Sequence, residues 1–140
     1  MAVSFVIMYA VMFLNADLFE HVMLSNTRTY MTILMVSPMA ISMMLFMWGM
    51  YENKKLNYII LGSAVILFIG SLTMLRNQTL IADVQWMKAM IPHHSSAIMV
   101  SQKAHLQDPE AQKLAQDIIE AQKREIAQMQ EMIKRLESKK

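Results

Sequence analysis

Apolar residues fill three long runs in the first half of the chain, and a mixed polar and apolar pattern follows. The runs cover about residues 2–19, 30–50 and 58–75, with short polar stretches between them. About 20 apolar residues are enough for a helix to cross a bilayer. The pattern predicts three transmembrane helices within a membrane domain of residues 1–76. The polar residues late in the first run indicate either a span that emerges into water or polar groups inside a membrane bundle; they are Asn15, Asp17, Glu20 and His21.

Residues 77–140 have the periodicity of two amphipathic helices, over about 79–105 and 109–137. Asp108 followed by Pro109 predicts the start of the second of these helices, with the aspartate as N-cap and the proline at the first helical position. Two helices alone bury too little apolar surface for a stable core. We therefore expect an all-α protein in which a second copy completes a four-helix bundle, as a homodimer or a larger homo-oligomer.

The distribution of charge along the chain indicates which partners and which location to expect. Residues 1–80 contain 4 Lys/Arg and 3 Asp/Glu, against 9 and 8 in residues 81–140, which predicts a membrane part joined to a soluble part. The net charge of +2 does not indicate nucleic acid as a partner. The lysine pair at residues 54 and 55 predicts a cytoplasmic loop. Three spans then leave the N-terminus in the cytoplasm and residues 77–140 in the periplasm of a bacterial inner membrane.

The candidate chemistry is concentrated in residues 87–99. Thioether sulfur suits Cu(I), and imidazole suits copper in either oxidation state. The chain has no Cys, so a thiolate site is excluded. This composition predicts a site for Cu(I), or for Ag(I) or Cu(II), although each methionine alone is also a common core residue. The predicted ligands are His93, His94, Met90, Met87 and Met99, with Met129 of the second amphipathic helix as a further sulfur.

A second group of methionines recurs every four residues along the second apolar run, at Met31, Met35, Met39, Met43 and Met47. This spacing places them along one side of a helix. Two interpretations remain open: side chains that pack against a neighbour or against lipid, and a series of soft ligands that moves Cu(I) along or across the membrane.

The stretch from Trp86 to His94, with its Met-Ile-Pro-His-His core, resembles the domain-of-unknown-function 305 family. The resemblance continues through Met99 and into the second helix, where Gln122, Glu125 and Met129 have the family's spacing. It covers roughly residues 79–137, and the preceding part is similar to the membrane-anchored branch. The resemblance implies a ferritin-like helical architecture and a role in copper binding and copper tolerance.

These observations predict a membrane-anchored periplasmic protein that binds Cu(I) or Ag(I) and either sequesters the ion or hands it over. The alternatives are a Met-lined copper transport component and a structural membrane oligomer without metal. We do not expect an enzyme, since the sequence presents no nucleophile with a matched base and no phosphate-binding loop.

Overall fold

The computed structural model describes residues 2–138, so the predicted domain ends at residues 1 and 140 lie outside the described part. The described chain is entirely helical, as predicted. It contains five α-helices, which are α1 (Ala2–Val11), α2 (Asn26–Phe46), α3 (Lys54–Arg76), α4 (Asp83–Lys103) and α5 (Pro109–Glu137), together with a short 3-10 helix at Phe19–His21.

The chain divides into two compact units. The first contains residues 2–11 and 26–80, and the second contains residues 12–25 and 81–138. The segment of residues 12–25, between α1 and α2, thus belongs to the same unit as α4 and α5. We call it the 12–25 segment.

The prediction of three membrane spans is wrong at the first run. α1 ends at Val11, and the chain then passes through turns to the 3-10 helix. Ten residues of helix extend about 15 Å, roughly half of the hydrocarbon thickness of a bilayer. Asn15 and Asp17 lie beyond the end of this helix. Two helices, α2 and α3, are long and apolar enough to span a membrane.

In the first unit, α2 packs against α3 along a seam with a seven-residue repeat. Seven residues make almost two helical turns, so this repeat keeps the buried residues on one side of each helix. Most other side chains of the two helices are at least partly exposed, and many of them are apolar. The buried residues of the repeat are Tyr30, Ser37 and Met44 on α2 and Asn57, Ala64 and Ser71 on α3.

In the second unit, α4 and α5 form an antiparallel hairpin. α5 begins where the sequence predicted: the Asp108 carboxylate accepts the Ala111 N–H at 2.9 Å, and Pro109 is the first helical residue. Near the open end of the hairpin, Lys88 Nζ lies 2.6 Å from Glu137 Oε1. The core between the helices consists of Met87, Ile91 and Ile98 of α4 with Ile119, Ile126, Met129 and Ile133 of α5.

Candidate metal centre

A contact between His94 and Glu125 fixes which turns of α4 and α5 face each other. His94 Nε2 lies 2.8 Å from Glu125 Oε2. In an antiparallel hairpin, one turn back along α4 corresponds to one turn forward along α5. Met90, four residues before His94, therefore lies at the level of Met129, four residues after Glu125. Two adjacent turns of each helix thus contribute an imidazole, a carboxylate and two thioethers.

Both ring nitrogens of His94 face an acceptor. Nδ1 lies 3.0 Å from the carbonyl oxygen of Met90, and Nε2 faces the carboxylate of Glu125. Both contacts are hydrogen bonds at once when each nitrogen carries a proton. Histidines that bind a metal through Nε2 usually donate Nδ1–H to a carbonyl or a carboxylate, which fixes the ring. The ring of His94 already has this orientation, and its Nε2 is the atom that Glu125 now contacts.

Four of the five methionines of the hairpin belong to its core or pack against that core. Met87 and Met129 are buried in the core, and Met90 and Met132 are partly buried and pack against it. Methionine is flexible and polarizable, so its sulfur can adjust to a neighbouring ion without a change in the backbone. The hairpin therefore combines one oriented imidazole with a group of soft sulfur donors.

The structure does not bring all the predicted ligands together. His93 is exposed, with its ring centroid 6.1 Å from that of His94 and the two planes at 64°. Met99 is partly buried and does not belong to the core cluster; it lies five residues beyond His94, towards the connection to α5. The residues on facing turns of the hairpin are therefore His94, Met90 and Met129, and Met87 is buried in the same core two turns before His94.

Pro92 lies between these residues, buried within an unbroken α4. It has no N–H to donate to the carbonyl of Lys88, so one helical hydrogen bond is missing on this turn. The helix nevertheless continues, and the backbone carbonyl of Met90 remains available to the ring of His94.

Sequence reasoning did not propose Glu125 as a member of the site. Glu125 is about half exposed, and only its contact across the hairpin, 31 residues away, distinguishes it from the solvated charges of α5. One turn earlier, the side-chain oxygen of Gln122 is buried and has no hydrogen-bond partner within residues 2–138. Gln122 is the polar member of a row at helical spacing that otherwise contains Ile118, Ile126, Met129 and Ile133. This polar position in an apolar row is the signal in the sequence that marks the location.

The 12–25 segment reaches α4 next to His94. Ser95 is completely buried; its Oγ accepts the Asp17 backbone N–H at 2.7 Å and lies 2.8 Å from Nδ1 of His21, which is itself buried. Met23 of the same segment packs against the core cluster that contains Met87 and Met129.

Among the described residues, no three His, Cys, Asp or Glu side chains form a group that could hold a metal ion.

The comparisons with known proteins agree with the resemblance. The family model for the domain of unknown function DUF305 matches residues 70–133, which include α4 and most of α5. Uncharacterized protein L153 of Acanthamoeba polyphaga mimivirus is 34% identical over 106 residues, which are 74% of this chain and 68% of that protein. The chain belongs to the DUF305 family. No solved structure matches it. The DUF305 region contains His94, Glu125 and all five methionines of the hairpin, whereas the 12–25 segment lies outside it.

Proposed function

We propose that this DUF305 protein is a membrane-anchored binding protein for Cu(I), or for Ag(I) with the same ligand preference, and that it sequesters the ion or hands it over rather than catalysing a reaction. The observation that carries this proposal is the placement of Met90 and His94 on α4 at the level of Met129 and Glu125 on α5. The donor set fits a soft monovalent ion, because it consists of thioethers and one imidazole in a chain without Cys.

Within this proposal, His94, Met90 and Met129 hold the ion, and Met87 provides a further buried sulfur. The bound ion takes the Nε2 lone pair of His94, so the Glu125 carboxylate must move away from that nitrogen. The negative charge of Glu125 then remains close to the cation and favours its binding. The exposed His93 and Met99, which lies outside the core cluster, are available for an exchange partner or a second ion.

The location we propose follows from α2 and α3 as the two spans. Lys54 and Lys55 are the first two residues of α3, next to the connection from α2, which favours a cytoplasmic position for this end. Two spans then place both the N-terminus and the DUF305 region on the opposite side, the periplasm of a bacterial inner membrane. The outward apolar faces of α2 and α3 contact lipid.

We also propose that two hairpins of α4 and α5 pair into a ferritin-like four-helix bundle, as a homodimer or a larger homo-oligomer. A hairpin of two helices leaves one side of each helix without a partner. Near the α4–α5 connection, Val100 and Leu114 are more than half exposed and line an apolar groove together with Ala111 and Ile118. A second copy that covers this groove would remove these side chains from water.

A second function, that of a Met-lined transport component, is favoured by one observation on α2. Met31, Met35, Met39 and Met43 are each between 38% and 48% exposed, so none of them is buried in the first unit. A substantial part of each thioether-bearing side chain is therefore accessible from outside the unit.

The test is an anaerobic Cu(I) titration of the full-length protein in detergent against a competing chelator. The variants are His94→Ala, Met90→Leu and Met129→Leu, with His105→Ala as a control because His105 is exposed in the α4–α5 connection. We expect each of the first three changes to weaken binding at least ~10-fold, as the loss of a group at a metal site typically does. The control should bind like the parent.

Equal affinity in all of these proteins would contradict the proposed site. A parent that binds no Cu(I) would contradict the function. The triple change Met35→Leu, Met39→Leu and Met43→Leu addresses the transport alternative: it should leave the stoichiometry of the parent unchanged, whereas a lower stoichiometry would favour transport.

A further inference from the structure

The 12–25 segment makes an unusually specific contact with α4. Ser95, fully buried, accepts one hydrogen bond from the backbone of Asp17, and its hydroxyl has the buried Nδ1 of His21 within 2.8 Å. These contacts join residues more than 70 positions apart, directly beside the proposed ligand His94. If the 12–25 segment served only to connect α1 with α2, it would not need a buried side chain such as His21 in contact with α4.

Met23 follows His21 by two residues, in a stretch without regular secondary structure. Two residues span at most about 7 Å. The contact between His21 and Ser95 therefore keeps Met23 close to α4, where it packs against the core cluster of the hairpin. The side chain of Met23 thus joins the core that contains the hairpin sulfurs of Met87 and Met129 from a third chain segment.

We propose that the 12–25 segment is part of the metal site and that Met23 donates a thioether ligand to the ion. This inference rests on the proposed function and extends it, because α4 and α5 alone then provide an incomplete donor set. The DUF305 region by itself lacks this ligand, since Met23 lies outside the matched residues. The pair of His21 and Ser95 positions the segment and does not contact the ion.

The test compares Met23→Leu with Met8→Leu in the full-length protein. Leucine has nearly the volume of methionine, so the exchange removes the sulfur with little effect on packing. Met8 lies in α1 and provides a matched loss of one thioether elsewhere. Three quantities are measured: the Cu(I) affinity in the chelator competition, the number of sulfur ligands per copper by X-ray absorption, and the melting temperature without metal.

We expect Met23→Leu to weaken binding at least ~10-fold and to remove one sulfur from the copper shell, with an unchanged melting temperature. Met8→Leu should match the parent in all three measurements. A parent that binds copper and a Met23→Leu variant with the same affinity and sulfur number would overturn this inference and leave the proposed function intact. Weaker binding with a lower melting temperature and an unchanged sulfur number would identify Met23 as a packing residue. A parent that binds no copper would reject both proposals.

Discussion

The buried hydroxyl groups of this protein find their hydrogen-bond partners in two different ways. On α2, Thr32 and Ser37 donate to carbonyl oxygens of their own helix, those of Arg28 and Ile33, at 2.9 and 2.7 Å. Such bonds are local and need no partner from another element. Ser95 on α4 instead bonds to the 12–25 segment. The stability of the second unit therefore depends on Ser95 in a way that its sequence context does not indicate.

We predict that Ser95→Ala destabilises the second unit by about 1–3 kcal/mol, because it leaves the Asp17 N–H and the His21 ring without their buried partner. Thermal or urea unfolding in detergent measures the loss. Ser96→Ala is the matched control: Ser96 is partly exposed, and its replacement should change the stability by no more than about 0.5 kcal/mol. Equal stability of the two variants would show that the bonds of Ser95 contribute nothing.

At the scale of elements, the seam between α2 and α3 explains why these two apolar helices pair. Its buried residues repeat every seven positions and include small side chains, with Ala64 at 5% exposed. Small residues let two helix backbones approach closely, which is the main source of helix association in a bilayer. Many apolar residues next to the seam are exposed.

A larger side chain in the seam should therefore weaken the packing between α2 and α3. We predict that Ala64→Leu destabilises the pair of helices by about 1–3 kcal/mol, because the larger side chain forces α2 and α3 apart. Val65→Leu, at a neighbouring exposed position, should have little effect. Thermal unfolding in detergent micelles distinguishes the two variants, and a melting temperature of Ala64→Leu equal to that of the parent would argue against a close seam.

For the whole molecule, the short α1 changes the expected topology. In the proposed arrangement of two spans, residues 2–25 and 81–138 lie on one side of the membrane, whereas a third span would separate residues 2–11 from them. Residues 12–25 and 81–138 belong to one compact unit, which favours the arrangement with two spans. The chain has no Cys, so a single introduced cysteine reports its own position without background.

We predict that Ala2→Cys and Ser138→Cys react with a membrane-impermeant maleimide in cells with an opened outer membrane, and that Lys55→Cys reacts only after the inner membrane is permeabilised. Labelling of all three after full lysis confirms that each cysteine is reactive. Protection of Ala2→Cys together with labelling of Ser138→Cys would instead indicate a third crossing.

The amino-acid sequence by itself determined the helical class, the two long apolar helices, the start of α5 at Pro109 and the family. Each of these depends on local patterns: apolar run length, helical period, an N-cap aspartate and a short motif. The prediction for the first apolar run also relied on a local pattern, the length of the run, and it was wrong because the helix ends at Val11. Composition alone does not decide where a helix stops.

Only the tertiary structure decided which side chains meet. The register of the α4–α5 hairpin places Glu125 on His94 and Met129 opposite Met90, while His93 stays exposed. The packing of the 12–25 segment brings His21 to Ser95 and Met23 to the core. These contacts join residues that are 31 to 78 positions apart. Such pairings depend on how whole elements pack, and no periodicity within a single element encodes them.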